Sequence, residues 1–144
     1  MSLVEQRWAI RHLLNERHAA DAMAAYYAFN HPNEKTNLLP YPAGTARARG
    51  YICLSRTGID LFRPLATLRL PADGVAGTID LAAAADMIYA AIPTGTSLFL
   101  SGPDAYQPLT AALFTPDFEE RLKIYTLREV NFQPIINVLM TQEA

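Results

Sequence analysis

Residues Tyr51–Leu70, YICLSRTGIDLFRPLATLRL, decide the fold. Tyr51–Arg56 is a short apolar run that reads as a strand. Phe62–Leu70 alternates, with Phe62, Ala66, Leu68 and Leu70 on one face and Arg63, Thr67 and Arg69 on the other. Between them, Thr57-Gly58-Ile59-Asp60 is turn chemistry, so the two runs predict an antiparallel hairpin. Pro64 lacks an N–H and marks an edge or a bulge early in the second strand.

Working outward, Pro71-Ala72-Asp73-Gly74 and Gly77 read as a loop. Asp80 or Thr78 can then cap a helix with an inner stripe of Leu81, Ala84, Ala85, Ile88 and Ile92. Pro93-Thr94-Gly95 stops it, and Ser97–Leu100 predicts a short buried strand. Ser101-Gly102-Pro103-Asp104 turns into another helix, with Tyr106, Leu109 and Leu113 inward and Pro108 tolerated in the first turn. Arg121–Arg128 alternates like a strand. Ile135–Met140 is apolar and reads as strand or helix. Upstream, residues 3–29 read as helical, with Leu3, Ile10 and Leu14 on one stripe and a break near Arg17-His18. Residues 30–46 read as a loop holding Pro32, Pro40 and Pro42, and Pro40-Tyr41-Pro42 forbids a central strand there. A hairpin followed by a β-α-β unit predicts an α+β domain spanning 1–144. Its sheet would be mixed, mainly antiparallel, of about five strands, with about four helices packed on it.

The chain has 144 residues, enough for one core. Apolar residues make up 51% and charged residues 18%, which argues against disorder. No apolar run approaches the ~18–20 residues of a bilayer span, and the start, MSLVEQRWAI, is charged too early for a signal peptide. The expectation is a cytoplasmic protein with no membrane partner. Twelve basic against 14 acidic residues give a net charge of −2, so no nucleic-acid partner is expected. Cys53 is the single cysteine, which excludes an intramolecular disulfide and a Cys-cluster metal site. Its apolar neighbours predict a buried, inert thiol.

His12, His18 and His31 lack ligand spacing, HExxH is absent, and no metal site is expected. Glu119-Glu120 reads as a solvated turn, since sequence neighbours point apart. Neither Ser55 nor Ser101 lies in GxSxG, and no catalytic residue is assigned. Arg47-Ala48-Arg49-Gly50 is a small basic cluster framing a strand. Two features can bind a ligand. Tyr26, Tyr27, Phe29 and Tyr41 lie near the proline-rich loop and can floor a pocket, or be core. Ser101-Gly102 opens a helix after a strand, where free N–H groups can meet an anion. The candidate ligand-binding residues are therefore Tyr27, Tyr41, Ser101 and Gly102.

Three phrases carry a family resemblance: Gly50–Arg56 (GYICLSR), Pro64–Leu70 (PLATLRL) and Ile92–Pro103 (IPTGTSLFLSGP). With the order of elements, they resemble the non-catalytic N-terminal half of larger bacterial GNAT-superfamily N-acetyltransferases built from two GNAT-like halves. Leu122–Leu127 and Phe132-Gln133-Pro134 are similar to that half's closing strand and exit. The resemblance covers about residues 20–140 and implies an accessory domain beside a catalytic half. Catalytic GNAT domains carry Q/R-x-x-G-x-G/A between a strand and a helix, to hold the acetyl-CoA pyrophosphate. The nearest string here, Arg47–Ile52, ends in isoleucine and runs into a strand. The resemblance therefore implies no cofactor in this chain, and acetyl-CoA only where a catalytic half is present. The partner it implies is a GNAT catalytic domain in cis. A second copy of the chain is the other expectation, because Ile135–Met140 is apolar enough to invite self-association into a homodimer.

Overall fold

The computed structural model describes residues 1–74 and 77–116, together with Glu120 and Leu122. The predicted segments Arg121–Arg128 and Ile135–Met140 lie outside these residues, apart from Leu122.

The chain is α+β. Helix α1 (Leu3–Ile10) opens with a reciprocal cap: Ser2 Oγ accepts the Glu5 N–H, and the Glu5 carboxylate accepts the Ser2 N–H. The predicted long helix is broken earlier than expected. Leu14 is already extended, and the chain resumes as a 3-10 turn, a short α2 (Ala22–Ala25) and a π-turn (Tyr26–Asn30). Three antiparallel strands follow: β1 (Thr36–Tyr41), β2 (Gly50–Ser55) and β3 (Leu65–Arg69). A two-stranded hairpin, β4 (Ala72–Asp73) with β5 (Thr78–Ile79), leads into α3 (Leu81–Ala91). Strand β6 (Phe99–Ser101) pairs parallel to β3, and α4 (Gln107–Leu113) ends the described core. The main sheet has the order β1-β2-β3-β6.

Two expectations are corrected. The 30–46 loop contains β1. Pro40 is compatible with it because β1 lies at the end of the strand order, where a missing N–H spoils no second ladder. The second strand begins at Leu65 rather than Phe62, which stands in the loop with 90% of its surface exposed. Among the described residues the main sheet has four strands, with β4 and β5 forming a separate pair.

Side chains alternate across the sheet and build two cores. Leu38, Tyr51 and Cys53 meet Ile10 of α1 and Ala24, Ala25 and Ala28 of the α2 region. Ile52, Leu68 and Leu70 meet Ala84, Met87 and Ile88 of α3, with Leu109 and Leu113 of α4 at the margin. The inner face of α3 is rotated from the predicted stripe: Ala83, Ala84, Met87 and Ile88 are buried, whereas Leu81 is 63% exposed. Both faces of β2 and β3 are therefore covered, which is why Thr67 on the supposed polar face is fully buried.

Candidate functional site

The parallel pair β3/β6 has one end where a ligand can enter such a sheet, the crevice beyond the carboxyl ends of its strands. Pairing stops at Thr67 opposite Ser101, so Leu68 and Arg69 continue without a β6 partner. That gap is filled. A Cβ placed on Gly102 would lie 3.2 Å from Leu68 Cδ2 and 3.5 Å from the Tyr106 ring. Tyr106 reaches back and its hydroxyl accepts the Leu70 N–H at 3.2 Å. The backbone donor that the diverging strands leave behind is thus satisfied by a side chain of the chain itself.

The connection from β3 to α3 flanks this end. A helix N-terminus attracts anions through its free N–H groups and dipole. Here Asp80 occupies it: Oδ1 accepts the Ala83 N–H at 3.1 Å, and Oδ2 accepts from the Arg49 guanidinium at 2.9 Å. Arg49 also lies 4.0 Å from Asp73. The Arg49 hydrogen bond, with the Ala83 N–H, holds the Asp80 carboxyl below the usual carboxylate range. Two carboxylates, Asp73 and Asp80, thus stand at this helix end, with the Arg49 guanidinium bound to Asp80.

The other face of the same end carries a second ion pair. Arg69 donates to Asp21 Oδ1 at 2.8 Å, and Asp21 Oδ2 accepts the Asn15 N–H at 2.8 Å. Burial pushes the Asp21 carboxyl up, but the Asn15 N–H and Arg69 outweigh it and the net direction is down. The Arg69–Asp21 pair ties the segment before α2 to β3, and the Arg49–Asp80 pair ties the segment before β2 to the start of α3.

The four candidate ligand residues do not converge. Tyr27 lies in the π-turn, its ring edge-on to Tyr26 at 5.0 Å and tilted against His31 at 5.1 Å. Tyr41 ends β1 on the α3 side of the sheet, where its hydroxyl donates to Asp86 at 3.2 Å. Ser101 and Gly102 are adjacent at the β6 end of the strand order, about 14 Å from β1 at three strand spacings. Tyr27 and Tyr41 are thus on opposite faces, and Ser101-Gly102 lies beyond the opposite edge.

Among the described residues, no group of three or more His, Cys, Asp or Glu could hold a metal. His31 is buried and its Nε2–H donates to the Arg56 carbonyl at 2.8 Å, locking the aromatic cluster to β2. His18 accepts the Ala20 N–H as a cap. Cys53 is fully buried, its thiol against Ser55 Oγ at 3.5 Å and the Tyr27 carbonyl at 3.6 Å. Burial pushes its pKa up, which disfavours the nucleophilic thiolate. No described helix is long and apolar enough to cross a membrane.

The filled crevice and the Arg49–Asp80 bond escape sequence reading, because both depend on which distant residue reaches them. Asp80 is legible as a cap, but its bond to Arg49 spans 31 positions. Comparison with protein-family models, with curated proteins and with solved structures found no match.

Proposed function

We propose that this chain is a non-catalytic, GNAT-like accessory module that packs on a catalytic N-acetyltransferase half and shapes its substrate side. The observation that carries the reading is the closure of the β3/β6 end. An antiparallel β1-β2-β3 meander, the α3 crossover and a parallel β6 form the scaffold, while Leu68, Gly102 and Tyr106 fill its crevice and Asp80 caps the helix beside it. A domain kept for its surface rather than its chemistry has no need of that crevice. Its charged side chains at this end hold loops, Arg49 bonding Asp80 and Arg69 bonding Asp21.

Isothermal titration with acetyl-CoA tests this. The expected result is no binding at submillimolar ligand. A micromolar Kd overturns the reading in favour of an acyltransferase with a degenerate cofactor loop. A stand-alone ligand-binding module is the other rival, and it requires that no catalytic half exist in cis or as a separate chain. A coding sequence for such a half following Ala144 favours the accessory reading.

A further inference from the structure

The opposite end of the sheet carries features that a packed accessory domain does not require. The β2–β3 loop projects Ile59, Leu61 and Phe62, which are 88, 87 and 90% exposed. Single exposed apolar residues are ordinary, but three large ones within four positions are not. The loop is also held in shape. Asp60 Oδ1 accepts the Phe62 and Arg63 N–H groups at 2.8 and 3.0 Å, and Oδ2 accepts Arg63 Nε at 3.0 Å. Those bonds turn the one carboxylate of the tip inward onto its own loop and leave the apolar side chains outward. Arg63 further rests over the Phe99 ring at 5.5 Å, fixing the base of the loop to β6.

Behind the tip, two cations stand side by side at the sheet end. Thr36 and Leu65 both pair with Ser55, which sets Lys35 beside Arg56 just past the strand ends, with Pro64 on the other side of Arg56. The Arg56 N–H donates to the Lys35 carbonyl at 2.9 Å, so these two basic residues are adjacent. Between them lies an open cavity of about 290 Å³, lined by Lys35, Thr36, Asn37, Leu54 and Arg56, with Glu34 at one side. The Arg56 side chain donates to the Glu34 carbonyl, which holds the guanidinium at this rim.

We propose that this end docks on an anionic phospholipid surface. Ile59, Leu61 and Phe62 enter the boundary between headgroups and acyl chains, while Lys35 and Arg56 take lipid phosphates at the rim. A convex, ordered apolar tip backed by cations suits an interface that is apolar inside and negatively charged outside. The occupant is chosen by that pairing of charge with apolar surface. The short run Ile59–Phe62 is no bilayer span, so the sequence-level exclusion of a spanning segment does not bear on it.

The test is co-sedimentation of the full chain with phosphatidylcholine vesicles and with phosphatidylcholine–phosphatidylglycerol vesicles. The wild type is expected to pellet with the anionic vesicles, less so as salt rises, and not with neutral ones. The exposed double variant Leu61→Ser/Phe62→Ser is expected to lower partitioning about tenfold or more. Lys35→Glu/Arg56→Glu is expected to abolish the preference for anionic lipid. Circular dichroism checks that each variant keeps the fold. Binding that is absent, or unaffected by either double variant, or equal on neutral vesicles, overturns the proposal. So does a wild-type dimer in sedimentation that Phe62→Ser converts to monomer without any vesicle binding, since the tip would then seat in a second copy.

Discussion

Thr67 shows how far a single residue's environment can depart from its type. It sits in β3 opposite Cys53, fully buried, and its Oγ1 has no hydrogen-bond partner among the described residues. A thiol is a weak partner, so the hydroxyl remains desolvated without compensation. Thr67→Val keeps the shape and the β-branching while removing that hydroxyl. It is expected to stabilise the fold by about 1 kcal/mol in urea melts; a loss of stability would mean that the hydroxyl is satisfied. Asp21 is the opposite case, a carboxylate whose partners lower its pKa. A depressed carboxyl pKa contributes stability that is present above the unfolded value of about 3.9 and is lost as pH falls through the folded value. Asp21→Asn should therefore lose about 1–2 kcal/mol at pH 7, discounted for the partial exposure of the pair. The gap between variant and wild type should narrow below about pH 4. Parallel pH titrations of the melting temperature check both statements, and a constant gap down to pH 2 would assign the loss to packing instead.

At the scale of elements, the tightest joint is where β2 enters the sheet. A Cβ on Gly50 would come 2.6 Å from the Arg69 carbonyl and 3.0 Å from the Pro71 ring. Neither backbone nor proline can step aside cheaply, so Gly50→Ala is expected to destabilise by about 1–3 kcal/mol, read as a lowered urea midpoint at unchanged m-value. Gly102→Ala, whose Cβ would meet the movable end of Leu68, should cost less. This joint was invisible in the sequence, where Gly50 merely ends a basic cluster. What was legible there follows local rules. The β2–β3 hairpin came from turn chemistry and alternation, α3 from its Asp80 cap, and β6 from an apolar run between turns. Strand β1 is not legible because the three prolines of 30–46 read as a loop; they exclude only a central strand, and β1 lies at the end of the strand order. The rotation of α3 was missed because a helix this rich in alanine has no sharp polar side to fix its angle. Tyr27 and Tyr41 are candidates by proximity to one loop and Ser101-Gly102 by its strand-to-helix turn, but the two tyrosines lie on opposite faces of the sheet and strand order separates Tyr41 from Ser101. Long-range partners such as Arg69 for Asp21 carry no local signal at all.

For the whole molecule, the consequence of two cores on one sheet is mechanical coupling. Cys53 and Ile52 are neighbours in β2, yet one faces Ile10 and the α2 alanines while the other faces Met87 and Ile88. Neither core can open without loosening the strands that the other needs, so the two should unfold as one cooperative unit. The single, fully buried thiol makes this measurable, because it reacts only when the α1/α2 side opens. Ile88→Ala lies on the far side of the sheet and should cost about 2–5 kcal/mol. In moderate denaturant, where global opening carries the labelling, the variant's Cys53 should react faster by about tenfold for each 1.4 kcal/mol lost. Leu38→Ala, beside the thiol, should accelerate it in the same proportion to its own loss of stability. If Ile88→Ala lowers the urea midpoint and leaves Cys53 labelling at the wild-type rate, the α3 side melts alone and the sheet does not join the two cores.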